Sequence, residues 1–389
     1  MNFAYQYWHR LIIFLGLNPL FSISTINIFV PLMLLSFQLK KISEVHIVFW
    51  LISFVVCISF IKGFLFNINN LQFDQLRHVL SLIAYMIPVA FLIFKLPFSL
   101  DVFLKILVGT SCLYGIYVLS YFYINGLSIL DIGGTKAIEI PAFPQRFPPL
   151  MVLPLLYCLS KVTKNKIFAL PILILFFTIF LTFTRSLYIF LIISCFIFLA
   201  IRFYQYPIIT RLKIALVSIV LFLLSSLTLA YYQEQAFLIV FEQLINSTIN
   251  SIIEFISGET NYTNIYSALN SENQRIYFWS LGMDLFYKNP LLGTGLAGLY
   301  HFGFPEIGSV HSQWVDQLMR IGILGTLIYI YCNLKIIKFF FWTHPYVSSW
   351  IIGLMVFGFL NESTKEMYTG IVFYILLNFA LYKNPVSKK

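Results

Sequence analysis

Charge is scarce in this sequence. Only 10% of the 389 residues are Asp, Glu, Lys or Arg, against about 25% in an ordinary soluble domain. Acids are scarcest, 15 in all, while 60% of residues are apolar and the mean hydropathy is +0.87. A chain with so little polar surface needs lipid as its main solvent, which excludes a cytosolic enzyme, a secreted disulfide scaffold and a disordered chain. Cysteine is sparse too. Cys57, Cys112, Cys158, Cys195 and Cys332 all fall inside apolar runs, where they read as small core residues rather than disulfide partners or thiolate ligands. The polar segments lack D-x-D and H-E-x-x-H, so no metal site is indicated and no cofactor is expected. Internal repeats, similar halves and clear midspan charges, the usual marks of a secondary transporter, are missing as well.

What is present is a series of apolar segments. They lie near 9–18, 20–37, 46–66, 78–98, 101–123, 147–160, 166–183, 186–202, 212–231, 316–339, 345–361 and 367–383. The expected fold is therefore all-α: a polytopic integral membrane protein with about 11–12 transmembrane helices. Pro19 at the exit of the first segment suggests half of a broken hairpin, and Pro148, Pro149 and Pro154 make the sixth irregular. The first run leads straight into another without a small-residue cleavage site, so no cleavable signal peptide is expected. The chain divides into 1–231 (nine spans, with an external loop at 124–146), a large external loop with amphipathic helices at 232–315, and 316–389 (three spans and an internal C-terminus).

The net charge of +10 would suggest nucleic acid in a soluble protein. With both termini inside, however, the internal segments collect 16 of the 25 basic residues and only Glu44 and Asp101 of the acids, a net of +14. The external segments keep 9 basic and 13 acidic residues, a net of −4. The positive-inside rule orients the chain consistently, and no nucleic-acid partner is implied.

The outer basic residues are Lys62, Arg77, Lys136, Arg146, Arg185, Arg275, Lys288, Arg320 and Lys365: five Arg of nine, against three of sixteen inside. The guanidinium fork grips phosphate in bidentate fashion and stays charged when partly desolvated, so the bias points to an anionic ligand outside. Ordinary ion pairing explains it equally well. Arg185 lies in the short turn F-T-R-S-L between two spans, where it needs a counter-charge or ligand anion unless it snorkels to headgroups.

Ser271–Gln274 reads as a capping box before R-I-Y-F-W-S-L-G-M-D-L-F-Y-K, and Asn289-Pro290 as a stop. Arg275 then falls in the first turn of an external helix, where free N–H groups and the positive dipole end also favour an anion. Trp279 shares its face, and Trp279 or Tyr277 can stack on a sugar; packing as core aromatics, with Arg275 capping a carbonyl, is the bland alternative. Residues 293–298 match G-x-G-x-x-G literally, but no strand precedes them, so they read as a tight turn rather than a dinucleotide site. His311 precedes the tenth span, with Ser312 as a plausible N-cap and Asp316 in the first turns. The helix dipole favours neutral imidazole there, the state a general base needs, although a lone His is by default a hydrogen-bonded interface residue. Arg320, four residues beyond Asp316, either pairs with it or faces the same anion pocket.

A many-span protein carrying R-x-Y-F-W, then N-P-L-L-G-T-G, then a His before a span with G-I-L-G resembles the O-antigen polymerase and O-antigen ligase superfamily. The matched core is about 271–328, with T-R-S at 184–186 upstream. Ser312 stands where members usually have Asn. The resemblance implies a bacterial inner-membrane glycosyltransferase with cytoplasmic termini and a periplasmic active site. Its substrates would be undecaprenyl-pyrophosphate-linked glycan donor and acceptor, its surroundings membrane lipids, and a chain-length regulator protein a further partner. It implies that Arg275 and Arg185 bind the pyrophosphate, Arg320 being a third candidate, and that His311 activates the acceptor without a metal. Attack in line predicts inversion at the anomeric carbon. The overall length and modest outer loop favour a polymerase. The alternatives are an O-antigen ligase that moves the glycan to lipid A-core and, more distantly, a lipid-linked oligosaccharide flippase or other transporter.

Overall fold

In lipid, a backbone that leaves N–H and C=O groups unpaired is costly, so runs of Leu, Ile, Phe and Val fold as helices that satisfy themselves. The computed structural model describes residues 3–23, 26–27, 29–67, 87–124, 148–181, 185–205, 271–295, 310, 312–361 and 367–382. Its helices are α1 (Phe3–Leu17), α2 (Phe29–Leu35), α3 (Ile47–Asn67), α4 (Leu100–Ile124), α5 (Pro148–Lys161), α6 (Ala169–Leu181), α7 (Arg185–Gln205), α8 (Ser271–Lys288), α9 (Gln313–Phe340), α10 (Pro345–Leu360) and α11 (Met367–Tyr382). Leu100–Tyr121, Leu187–Gln205 and Gln313–Phe340 are long and apolar enough to cross a membrane, and five shorter apolar helices accompany them. The protein is an all-α polytopic membrane protein. The expected ninth span at 212–231, the loop 124–146 and most of 232–315 lie outside the described residues.

Two expected spans take another form. Segment 20–37 is a short turn at Pro19–Phe21, a two-residue hairpin (β1 Ser22–Ile23 with β2 Ile26–Asn27) and the seven-residue α2. The polar S-I-S-T-I-N run favours a turn, and Pro31 removes a backbone donor from the helix that follows. Gly16 lets α1 close on Met33 of α2, so α1 and α2 form the broken hairpin that Pro19 suggested. Segment 78–98, described from 87 onward, ends as a tight 3-10 turn at Ile87–Ile93 containing Pro88, followed by β4 (Phe94–Lys95). This strand pairs with β3 (Gln38–Leu39), and the buried Asn378 of α11 donates to the carbonyls of Phe91 and Phe94 at 2.6 and 3.0 Å.

The centre of the bundle is α5, buried throughout 149–158 and packed against α4, α6, α7 and α10. Trp350 of α10 donates from its indole to the Pro149 carbonyl at 3.1 Å. Helices α7 and α10 run antiparallel: Phe190 meets Phe357 at one end, with ring centroids 5.4 Å apart, and Gln205 reaches the Trp342 carbonyl at the other.

The segments expected inside the cell gather at one end. Glu44 bonds Lys95 at 3.2 Å, and Asp101 meets Lys105 at 2.7 Å and Lys161 at 3.6 Å. Lys40 sits over the Tyr382 ring at 3.1 Å and donates to the Leu92 carbonyl. Burial pulls the Lys40 ammonium down to about 7, with Glu44 opposing and Lys95 adding to the shift. At the opposite end lie the last turns of α3 and α10, the segment after α8 and the start of α9.

Gly353 permits the closest approach in the bundle, since a Cβ there would stand 2.0 Å from Ser194 Oγ and 2.6 Å from the Phe190 ring. Gly353→Leu is therefore expected to destabilise the protein by about 2 kcal/mol or more through overpacking between α7 and α10. Thermal unfolding in detergent would register this as a drop in midpoint, and an unchanged midpoint would contradict the packing described.

Candidate functional site

The end opposite the basic cluster is organised by a break in α9. Gly322 has φ +65° and ψ −168°, so the helix stops at 321 and resumes at 323. An intact helix would bond N–H 323 to carbonyl 319 and N–H 324 to carbonyl 320. Instead, Ile323 N–H donates to the Pro290 carbonyl at 2.8 Å and Leu324 N–H to that of Leu291 at 3.2 Å. The Met319 carbonyl accepts from Thr294 N–H at 2.8 Å and Thr294 Oγ1 at 3.0 Å. That of Arg320 accepts from Gly295 N–H at 3.1 Å and from Ser59 Oγ of α3 at 2.8 Å. The N-P-L-L-G-T-G segment thus supplies the backbone partners that the break removes.

Glycine is required on both sides of this clasp. Gly293 (φ +67°) would place a Cβ 2.4 Å from the Arg320 carbonyl carbon, and Gly322 would place one 2.4 Å from the Leu291 oxygen. Gly295 also has a positive φ, 102°. The tight turn read from the sequence is present, and it has a specific partner. Lys62, one turn beyond Ser59 on α3, donates to the Gly293 carbonyl at 3.1 Å.

Helix α8 is fixed at its C-terminal end by the clasp and along its length by α9. Phe278 and Leu285 pack with Val310 and Met319, and Gly282 admits Val310 and Val315. The helix ends at Lys288, before the expected Asn289-Pro290 stop. Ser271 is itself helical, so Arg275 lies just past the first turn rather than within it. Trp279 packs on the same apolar cluster, and its indole N–H is shielded without a hydrogen-bond partner. Of Arg275 and Tyr277, the backbone alone is described.

At the start of α9, Ser312 takes the N-cap position with extended backbone, but its hydroxyl donates across to the Gly358 carbonyl of α10 at 3.3 Å. Trp314 donates to the Met355 carbonyl at 2.8 Å. Of the two readings of Arg320, the pair is what forms: its Nε lies 2.9 Å from both carboxylate oxygens of Asp316, and the residues are only 4% and 3% exposed. His311 lies outside the described residues, between the buried Val310 and Ser312. Arg185 is the first residue of α7, whose antiparallel packing sets this helix start beside the end of α10. The backbones of Arg185 and Arg275, and the chain on either side of 311, therefore share one end of the bundle. Lys62 stood among the outer basic residues of the sequence, but Ser59 and the break at Gly322 were not marked there. A place three residues before Lys62, near the end of an apolar helix, was the available signal for Ser59.

A bundle of this kind, with a loop-stitched half-helix at one end, defines a polytopic membrane protein. Residues 170–330 match the profile of the family described as O-antigen ligase. The match bears out the resemblance to the O-antigen polymerase and O-antigen ligase superfamily. Comparison with curated proteins gives no match.

Three substitutions test this architecture. Gly322→Ala is expected to cost about 2–4 kcal/mol, from the left-handed backbone and the collision with the Leu291 carbonyl, read as a lowered unfolding midpoint. Asp316→Leu alone leaves a buried guanidinium without its carboxylate and is expected to cost about 3–5 kcal/mol. Pairing it with Arg320→Leu should recover most of that loss; a double variant no better than the single one would contradict the buried pair.

Proposed function

We propose that the protein is an O-antigen polymerase of the bacterial inner membrane, joining undecaprenyl-pyrophosphate-linked repeat units at the periplasmic face. In this reading both termini and the basic end lie in the cytoplasm, following the positive-inside rule. The observation that carries the reading is the sharing of one bundle end by the backbones of Arg185 and Arg275, the start of α9 and the N-P-L-L-G-T-G clasp. A flippase or other transporter would instead call for charges along a central path.

The chemistry follows from a donor that arrives already activated. Arg275 and Arg185 hold its pyrophosphate. They carry the uncompensated charge, because Arg320 is paired with Asp316 and serves to hold the start of α9. As the bond from the anomeric carbon to the phosphate oxygen breaks, the leaving group takes the electron pair and its charge grows. Fixed guanidinium groups stabilise that charge without a metal. His311, neutral at the start of a helix, takes the proton of the acceptor hydroxyl, whose oxygen attacks the anomeric carbon from the opposite face and inverts it. Trp279 and Tyr277 offer aromatic faces for a sugar ring. The polyprenyl tails lie among the spans in the outer leaflet, and a chain-length regulator would dock from the periplasmic side.

The ligase reading is favoured by the description of the matched family and shares the donor chemistry. The two differ in acceptor, so glycans of a deletion strain separate them. Lipid A-core capped by a single repeat unit is the expected result, whereas long chains stranded on undecaprenyl pyrophosphate would point to ligase. Complementation by Arg275→Ala, Arg185→Ala or His311→Ala should restore membrane insertion but less than about one hundredth of chain elongation. Full elongation by all three would refute the site.

A further inference from the structure

The half-helix at 313–321 has two faces of opposite character. Val315 and Met319 turn toward α8, where Gly282 makes room for them. Gln313, Asp316, Gln317 and Arg320, at spacings of three and four, form a stripe on another face. Three of the four are at least 95% buried. In a chain with so few charges, a buried polar stripe beside the clasp is an expensive arrangement. Asp316 and Arg320 answer each other.

Gln317 is different. Its Oε1 is shielded from solvent and accepts no hydrogen bond. Ser111 and Ser194 also carry shielded oxygens without partners, but a mid-helix hydroxyl can rotate toward its own preceding turn; Asn333 Oδ1 is shielded likewise, though its amide nitrogen is already held by the Tyr329 carbonyl at 2.8 Å, away from this end. A side-chain amide oxygen at the end of a long arm has no such local recourse, so a buried one calls for a donor from elsewhere. The shielded indole N–H of Trp279 at the same end is the complementary case, a donor with no acceptor. A ligand that satisfies both kinds of group carries hydroxyls that donate and accept, as a sugar does.

We propose that Gln317 is a specificity-determining residue: its Oε1 accepts a hydrogen bond from a sugar hydroxyl of the lipid-linked glycan, in a subsite walled by the 313–320 stripe. The subsite is distinct from the arginines assigned to the pyrophosphate. The Asp316–Arg320 pair stiffens the stripe and holds Gln317 one turn from the helix break. The proposal rests on the glycosyltransferase reading and names the part of the substrate that this face reads.

The test uses purified full-length protein in detergent, with lipid-linked repeat units extracted from cells lacking the protein as the probe. Gln317→Met keeps the length of the side chain and removes the acceptor. It should raise KM about tenfold with kcat within threefold of wild type, while the unfolding midpoint stays level or rises because a shielded unpaired oxygen has gone. Gln317→Glu retains an acceptor oxygen and should stay within threefold of the wild-type KM. Should Gln317→Met not insert, Gln317→Leu is read in its place. An active wild type with unchanged KM in the acceptor-less variant overturns the Gln317 assignment alone, and reduces the residue to a structural one. A wild type that transfers no glycan from this probe overturns the glycosyltransferase reading and the assignment together.

Discussion

A helix cannot be broken within a membrane protein unless something else pairs with the backbone groups it releases. At Gly322 four such groups come free, each costing about 1–3 kcal/mol if left buried and unpaired. The N-P-L-L-G-T-G segment meets all four, with Ser59 of α3 adding a second donor to one carbonyl. The rest of this end of the bundle depends on this exchange. It fixes the C-terminal end of α8, the helix whose backbone carries Arg275. It anchors α3 through Ser59 and Lys62, and it frees 313–321 to take a direction of its own, which α10 then steadies through Ser312 and Trp314.

The arrangement suits a chemistry that must handle a charged, hydroxyl-rich group on a lipid tail. Catalytic side chains on an external loop would be loosely held. Here, backbone hydrogen bonds to a transmembrane helix carry the rigidity of the bundle out to the loop-bearing end. The apolar faces of α8 and of 313–321 pack on each other, while Gln313, Asp316 and Arg320 are buried on another face of the latter. The basic cluster at the other end has no part in this: Lys40, Lys95, Lys105 and Lys161 are engaged with Tyr382, Glu44 and Asp101, consistent with charges that set topology.

Much of the fold was legible because periodicity and hydropathy act locally. The spans at 46–66, 101–123, 186–202, 345–361 and 367–383 appear as helices with nearly the expected bounds, and α8 ends at its Asn-Pro stop. The departures have tertiary causes. Segment 20–37 has the hydropathy of a span, but its polar turn and Pro31 let α2 fold back onto α1 instead. The 3-10 turn at Ile87–Ile93 is stabilised by Asn378, nearly three hundred residues away in sequence. At the candidate site, the motifs marked the right segments without showing that two of them are one unit. G-T-G and G-I-L-G each look like common glycine runs, and nothing local says that Gly293 and Gly322 must meet. The orphaned oxygen of Gln317 depends on packing from several elements, which no local pattern records.

In the proposed function, the end bearing the clasp binds the pyrophosphate of a lipid-linked glycan. A cryo-electron microscopy map of the protein in lipid nanodiscs with undecaprenyl pyrophosphate tests this most directly. Density for the two phosphates is expected within hydrogen-bonding distance of Arg275 and Arg185, beside the start of α9, with the tail descending between helices. Phosphate density at the basic end, among Lys40, Lys95 and Lys105, would contradict it.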